Sequence, residues 1–187
     1  MTTRIQTGSV LAHRELTAID GTLVSLPDPQ WITHLQFRRF AGCPWCSLHL
    51  NSVAARYEEI QAAGVREIAV FNSSAADLLA YEGGMPFPVV ADPSRRLYTD
   101  FGVDRSPRSL LSPHAWRSGV RGLRAQYARP AGSNGRHRPL APGMAALGLP
   151  VDLLIAPDGR VLARHDGTHA GDQWSVTELL ARVGALA

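Results

Sequence analysis

The sequence contains no lysine, so all nineteen basic side chains are arginines. An all-arginine complement is what GC-rich coding produces, and it does not by itself indicate a function. The formal net charge of +3 is too small to predict nucleic-acid binding. No apolar run is long enough to span a bilayer, so we expect no membrane partner. The N-terminal Met1–Ile5 lacks the apolar region of a secretory leader, and we expect a cytoplasmic protein.

Acidic residues are missing from one long stretch. Between Arg105 and Val151 the chain carries eight arginines and no Asp or Glu. The pattern predicts a helix over 113–127 and then a Pro-, Gly- and Arg-rich loop over 128–143. Arginines spread over a long loop are typical of a solvated flap or an oligomer contact, which leaves a homodimer open. A non-catalytic module that binds an acidic partner or nucleic acid through 105–138 is the less favoured alternative.

Cysteine is scarce as well, because the only two are Cys43 and Cys46. Two thiols supply half of a tetrahedral zinc set, and His49 alone would not complete it, so we expect no metal. In a reducing cytoplasm a lone Cys-x-x-Cys is more often catalytic than structural. We therefore interpret the pair as a redox-active dithiol, with two buried core cysteines as the alternative.

The hydrophobic pattern around this pair predicts an α/β fold. A strand leads into the motif, and a helix with Pro44 at its first position leads out. Strand, helix, strand and helix in this order indicate a βαβ unit with parallel strands. The predicted elements are an N-terminal hairpin (Val10–Ile19 and Thr22–Leu26), strands Ile32–Phe40, Arg66–Phe71, Met85–Ala91, Val151–Ala156 and Arg160–His165, and helices Ser47–Gln61, Ser73–Tyr81, Ser94–Phe101 and Trp174–Leu186.

The position of the cysteines at a helix start predicts different roles for them. Unpaired amide protons and the helix dipole stabilise a thiolate there, so we expect Cys43 to be the attacking residue. Cys46 lies one turn further and is expected to be more buried, where it would resolve a mixed disulfide or sulfenic acid on Cys43. The dipeptide Pro44-Trp45 does not fix the direction of reaction. Trp45 would either stack against a partner or cover the pair.

Four further residues are candidates for supporting this chemistry. Arg38 and Arg39 precede the motif on the predicted strand, so one of them should point towards the thiols. A guanidinium there would lower the cysteine pKa or hold a peroxide or carboxylate, and an edge salt bridge is the equal alternative. His49 is expected to be exposed or to cap a helix rather than to transfer a proton. A cis bond before Pro150 would bring backbone groups beside the dithiol.

Three segments resemble one known family. Phe37–Cys46 resembles the Arg-Arg-x-x-Gly-Cys-x-x-Cys segment of the peroxiredoxin-like branch of the AhpC/TSA family, within the thioredoxin superfamily. Phe87–Pro93 is similar to the family's segment after its third strand, and Val151–Arg160 to its final hairpin. The resemblance implies one thioredoxin-like domain over 1–187. In this α/β fold, helices flank a central mixed sheet, with an N-terminal β-hairpin and a basic insertion at about 104–148 before the final hairpin.

The resemblance also implies thiol-dependent peroxide reduction without a cofactor. Cys43 would attack a peroxide or disulfide, Cys46 would close an intramolecular disulfide, and an external thiol system would reduce it. One departure concerns the Thr or Ser that ordinary peroxiredoxins carry three residues before the attacking cysteine. That place holds Phe40 counted from Cys43, and Cys43 itself counted from Cys46. The missing hydroxyl favours the alternative, a thioredoxin-like protein dithiol-disulfide reductase without peroxidase activity.

Overall fold

A computed structural model of the chain describes residues 5–103 and 148–186. The predicted helix over 113–127 and the basic loop over 128–143 lie outside these residues. Within the two described ranges, no helix has the length and apolar character that crossing a bilayer requires.

A five-stranded mixed sheet forms the centre of the fold. Its strands are β3 (Ile32–Phe37), β4 (Val65–Phe71), β5 (Val89–Ala91), β6 (Val151–Ile155) and β7 (Val161–Asp166). They lie in the order β5-β4-β3-β6-β7, with β4 parallel to β3 and β5 parallel to β4. β6 runs antiparallel to β3, and β7 antiparallel to β6. The predicted mixed sheet is confirmed, with the dithiol-bearing segment leaving its central strand.

The N-terminal residues form the predicted hairpin and also pair with both edges of the sheet. Strands β1 (Arg14–Thr17) and β2 (Leu23–Leu26) are antiparallel. Before the hairpin, the Gly8 N–H donates to the carbonyl of Val161 at 2.8 Å, along β7. At the hairpin's turn, the Ile19 N–H donates to the carbonyl of Val89 at 2.8 Å, along β5. Both outer strands therefore have partners from the N-terminal segment.

Helices cover the sheet as predicted, with one difference. They are α1 (Pro44–Ala55), α2 (Tyr57–Ala62), α3 (Ala75–Glu82), α4 (Arg96–Asp100) and α5 (Val176–Gly184). The single helix predicted over Ser47–Gln61 is wrong, because the backbone leaves the helical region at Arg56 (φ −121°, ψ 23°) and separates α1 from α2. The Arg56 guanidinium then bonds to Glu59 at 2.7 Å and to the Thr177 hydroxyl at 3.0 Å, which ties the break to α5.

Each face of the sheet carries its own apolar core, because successive strand residues point to opposite faces. The hairpin-side core lies under β1, β2 and the α4 segment, and the helix-side core lies under the other helices. The hairpin-side core includes Leu16, Val24, Leu26, Leu35, Phe37, Ile68, Val70, Tyr98, Phe101, Leu153 and Ile155. The helix-side core includes Cys43, Cys46, Leu50, Val53, Ile60, Ala69, Phe71, Leu78, Leu154, Trp174 and Leu179. The dithiol is thus part of one core and not of the other.

Candidate active site

The Cys-x-x-Cys motif occupies the start of α1. Cys43 is the N-cap residue with an extended backbone, and Pro44 is the first helical residue, where its missing N–H would be unpaired in any case. Gly42 makes the turn into the helix with φ +72°, a conformation that favours glycine. A side chain at Gly42 would meet the ring of Tyr81 at 2.9 Å. The sequence therefore dictates both the turn and the helix start.

The loop before the motif is held from one side by α3 and the residues that lead into it. The Ala41 N–H donates to Ser73 Oγ at 2.9 Å. On the first turn of α1, the Ser47 hydroxyl donates to Glu82 Oε1 at 3.0 Å, and Glu82 is itself buried. These bonds fix the cysteine-bearing turn against the helix-side core.

Both cysteines are free thiols and are fully buried, Cys43 at 0% exposure and Cys46 at 1%. The prediction that Cys46 would be the more buried of the two is wrong, because the turn at Gly42 brings Cys43 into the same apolar cluster. Burial alone does not separate a reactive dithiol from two core cysteines, but the electrostatic surroundings of the two thiols differ.

The pKa values of the two thiols are shifted in opposite directions. Burial raises the pKa of Cys43, but the hydrogen bond from the Cys46 thiol, the charge of Arg39 and the N–H groups of Cys46 and Trp45 lower it to about 7. Burial, the hydrogen bond given to Cys43 and the charge of the Cys43 thiolate raise the pKa of Cys46 well above its usual range. An attacking Cys43 and a resolving Cys46 would need these directions, and the two roles stay a prediction.

Arg39 supplies the positive charge at the thiol. It is buried, and its Nη1 donates to the Cys43 sulfur at 3.7 Å. Its guanidinium carbon lies 5.3 Å from the centroid of the Phe40 ring and 5.2 Å from that of Trp45. Trp45 is half-buried, and its ring contacts Arg39; its predicted role, to stack against a partner or to cover the pair, stays a prediction. Phe40 fills the place where ordinary peroxiredoxins carry a hydroxyl.

Arg38 points into the protein as well, towards a different partner. Its Nη2 donates to Asp152 Oδ1 at 2.6 Å, and its Nε donates to Gln36 Oε1 at 3.0 Å. Arg39 is the one of the two that points towards the thiols, as predicted, and Arg38 turns inward as well because β3 ends before it, at Phe37. For Arg38 the alternative of an edge salt bridge is wrong, since both partners of this ion pair have 0% exposed side chains.

The ion pair belongs to a larger buried network. His34 Nδ1 lies 2.8 Å from Glu67 Oε2, and His34 Nε2 lies 3.3 Å from Asp152 Oδ1. The Gln36 amide donates to Glu67. We call the set His34, Gln36, Arg38, His49, Glu67 and Asp152 the buried ion network. Polar residues at positions 34 and 36, on one face of β3, and at 38, just after it, are a signal of this network that the sequence-based predictions did not use.

Charges in the network stabilise one another. Burial lowers the pKa of His34. The negative charges of Glu67 and Asp152, and a hydrogen bond to each of them, outweigh burial and raise the pKa to about 9. Burial raises the pKa of Asp152, and the charge of Arg38 and the contact with His34 outweigh it, holding that pKa well below its usual range. His34 is therefore an imidazolium at neutral pH.

His49 joins the network from α1, one turn after Cys46. Its Nε2 lies 3.0 Å from Arg38 Nη2 and accepts from it, since a guanidinium only donates. Burial and the charge of Arg38 lower the pKa of His49 well below its usual range. The prediction of an exposed or capping His49 is wrong, because it lies on the α1 face that packs on the sheet. With Nε2 engaged, it is not placed to take a proton from Cys46.

Pro150 lies at the end of the sheet from which the dithiol loop departs. It directly precedes Val151, which pairs with Phe37, the last residue of β3. It is buried, and its carbonyl accepts the Gly167 N–H at 2.9 Å. Among the described residues the cis peptide bond is the one before Pro27, so the cis bond considered before Pro150 is not present. Its supporting role stays a prediction.

Metal binding has no evident site in the part of the chain that the structure describes. Within 5–103 and 148–186, no group of three or more His, Cys, Asp or Glu side chains could hold a metal ion. The groups available for chemistry at the site are therefore the dithiol, the Arg39 guanidinium and the buried ion network.

Sequence comparison places this chain in a known family. A model of the AhpC/TSA antioxidant enzyme family matches residues 52–169, more than half of the 187 residues. The chain belongs to the AhpC/TSA family. The matched range begins after Cys46 and runs through the basic segment, so it does not test the roles of the two cysteines. Comparison with the curated proteins gives no match.

Solved structures agree with this membership at the level of the fold. Peroxidoxin BcpB from Mycobacterium tuberculosis is 16% identical, with a TM-score of 0.67 over 98% of this chain and 99% of that one. A reduced 2-Cys peroxiredoxin from Plasmodium vivax is 13% identical, with a TM-score of 0.66 over 97% and 82%. A putative thiol:disulfide interchange protein DsbE from Chlorobium tepidum is 18% identical, with a TM-score of 0.59 over 96% and 99%.

These findings confirm two predictions. The chain has the predicted thioredoxin-like α/β fold. As an AhpC/TSA family member, it is a thiol-dependent oxidoreductase of peroxiredoxin-like type. An enzyme is thus favoured over the non-catalytic binding module that its basic segment suggested.

Proposed function

We propose that this protein is a thiol peroxidase that reduces a small hydroperoxide, with Cys43 as nucleophile and Cys46 as resolving thiol. The observation that carries the proposal is the contact between Arg39 Nη1 and the Cys43 sulfur, 3.7 Å long, inside a buried site. A nearby cation favours the thiolate, which is the reactive form. Because Cys43 has 0% exposure, the site must open for any substrate, and a smaller opening admits a molecule of the size of hydrogen peroxide than admits a disulfide on a folded protein.

The proposed reaction has three balanced steps. The Cys43 thiolate attacks one peroxide oxygen, the O–O bond breaks, and with one proton the products are a sulfenic acid and water or an alcohol. The Cys46 sulfur then attacks the Cys43 sulfur, and its proton leaves with the hydroxyl as water. An external dithiol finally gives two electrons and two protons, which restores both thiols and leaves the donor as a disulfide.

The setting of this reaction is part of the proposal. A cytoplasmic location would give the enzyme access to thioredoxin- or glutathione-type reductants. One domain over 1–187, with an insertion at about 104–148, is supported by the end-to-end coverage of the peroxidoxin and DsbE structures. Whether the enzyme works as a homodimer can be measured by sedimentation of the reduced and oxidised forms.

A second candidate function is protein dithiol-disulfide exchange without peroxidase activity. The specific observation that favours it is Phe40, a buried aromatic residue where a peroxide-orienting hydroxyl would stand. The contact from Arg39 would serve this reaction equally, because it stabilises Cys43 as a leaving thiolate.

Peroxide consumption by the reduced protein separates the two functions. We expect the wild type to consume one equivalent of hydrogen peroxide and to form the Cys43–Cys46 disulfide, measured by stopped flow and by mass. Cys46→Ser should accumulate a sulfenic acid that dimedone traps, and Cys43→Ser should react at the background rate. Ready reduction of insulin together with indifference to peroxide would overturn the peroxidase and leave the disulfide reductase.

A further inference from the structure

The guanidinium of Arg39 lies over two aromatic rings. The ring of Phe40, the next residue, lies 5.3 Å away, and that of Trp45, from the first turn of α1, lies 5.2 Å away. Arg39 follows the end of β3, and its backbone carbonyl accepts the Asn72 N–H at 3.2 Å. This backbone hydrogen bond, just beyond the ends of β3 and β4, holds the backbone of Arg39, while the rings lie against its charged end.

We propose that Phe40 and Trp45 are positioning residues, which clamp the Arg39 guanidinium with their rings and thereby hold its Nη1 on the Cys43 sulfur. The inference rests on the proposed function only in taking Cys43 as the reactive thiol. It assigns a role to the second residue of the Pro44-Trp45 dipeptide, and it explains why an aromatic residue at Phe40 is compatible with an activated thiol.

Two physical arguments support the clamp. An arginine side chain has several rotatable bonds, and an opposite charge acts strongly on a thiolate only when held within about 4–6 Å of it. A guanidinium over an aromatic face is attracted by the ring quadrupole, more strongly where water is excluded, as here. Because Trp45 is in the first turn of α1, which Cys43 caps, its ring ties the cation to the element next to the thiol.

A clamp and a simple cover predict opposite changes of the Cys43 pKa when the Trp45 ring is removed. If Trp45 only shields Cys43 from water, its removal exposes the thiol, and the Cys43 pKa falls because burial raises it. If Trp45 holds Arg39, its removal loosens the cation, and the Cys43 pKa rises. The direction of the change therefore distinguishes a positioning residue from a cover.

The test is a thiolate titration by ultraviolet absorbance in a Cys46→Ser background, where a single thiol ionises and the serine still donates a hydrogen bond. We expect Trp45→Ala to raise the Cys43 pKa by about half a unit and to slow alkylation by iodoacetamide at pH 7 about twofold. Arg39→Gln should raise it by about one unit or more. Trp45→Phe should restore most of the wild-type value, because it keeps a ring.

Two further variants complete the design. Trp31→Leu changes a partly exposed tryptophan next to the opposite end of β3, so we expect no shift of the Cys43 pKa. In an Arg39→Gln background, Trp45→Ala should add nothing, because no guanidinium remains to be held. If Trp45→Ala does not fold, Trp45→Leu, which removes the ring but keeps apolar bulk, makes the same test.

A fall of the pKa in Trp45→Ala, or an equal rise with and without Arg39, would overturn the clamp. Neither result would affect the proposed peroxidase, provided the wild-type Cys43 ionises near pH 7. A wild-type Cys43 that ionises only above its usual range would instead remove the basis of the proposed function. Failure of the two proposals is thus distinguishable by a single titration series.

Discussion

The two faces of the sheet are built from alternate residues of the same strands and yet are chemically opposite. On the hairpin side, Phe37 packs against Tyr98 and Phe101 with ring centroids 5.0 and 5.2 Å away, within an apolar core. On the helix side, the neighbouring strand positions hold the buried ion network beside the dithiol. One strand, β3, contributes to both: Leu35 and Phe37 to the first face, His34 and Gln36 to the second.

This contrast separates two roles: the apolar core stabilises the fold, and the buried ion network positions the elements that carry the dithiol. Burying charged groups costs solvation, and a buried ion pair is seldom more stabilising than apolar residues of the same volume. The network nevertheless joins β3, β4, β6 and α1, and Asp152 Oδ2 also accepts the backbone N–H of Trp174 at 3.1 Å, ahead of α5. Its bonds are directional, so they specify where α1 and the end of β3 lie relative to one another.

The largest test compares adjacent residues of β6 that face opposite cores. Asp152→Ala should lower the free energy of unfolding by about 3–5 kcal/mol, because Arg38 would keep a buried charge without its counterion. Leu153→Ala, one residue along, should cost about 2–5 kcal/mol through the cavity it leaves. Urea unfolding measures both changes. Only Asp152→Ala should alter the Cys43 pKa. If both variants shifted the Cys43 pKa equally, the division between the two faces would be contradicted.

The second test uses the pH dependence of His34. Its pKa is raised on folding from 6.5 to about 9, so its contribution of roughly 3 kcal/mol is complete below about pH 6.5 and is lost as pH rises towards 9. Because its counterions Glu67 and Asp152 lie on the helix side, this loss belongs to that face alone. Urea unfolding at a series of pH values would measure it.

The two thiols titrate in the same range and must be removed for this measurement. The lowered pKa of Cys43 gives a contribution that grows as pH rises, opposite in sign to that of His34, while the raised pKa of Cys46 gives one that falls at higher pH. A Cys43→Ser, Cys46→Ser background removes both. There, His34→Gln should flatten the profile between pH 6.5 and 9, and a slope that survives this change would show that His34 is not its source.

The smallest effect compares two glycines with positive φ. Gly42 has φ +72° beside the Tyr81 ring, and Gly21 has φ +87° at the hairpin turn with nothing within 4 Å of an added Cβ. Alanine at either position should cost about 1–2 kcal/mol of backbone strain, with a further cost at Gly42 from the ring. Only Gly42→Ala should speed alkylation of Cys43, because the loop must shift. Equal alkylation rates in the two variants would contradict this.

Periodicity and local signals predicted the elements well, because each depends on nearby residues. Pro44 at the helix start, Asp20-Gly21 in the hairpin turn and the apolar run of β4 specify their own structures. The break at Arg56 has no proline or glycine to announce it. Arg38 turns inward to its ion pair with Asp152, and the buried His49 accepts a hydrogen bond from Arg38. Arg39 turns inward against the rings of Phe40 and Trp45. Spacing could indicate the dithiol, but it could not show which distant charges fold against it.

Pairing of the sheet's two edges by the N-terminal residues has a consequence for self-association. An open strand edge is a template for another chain, and here residues 8–11 lie along β7 while residues 18–19 lie along β5. Strand addition by a second copy would first have to displace them. A chain shortened before Arg14 would leave the start of β7 uncovered, and we would expect it to join other copies edge to edge into growing aggregates.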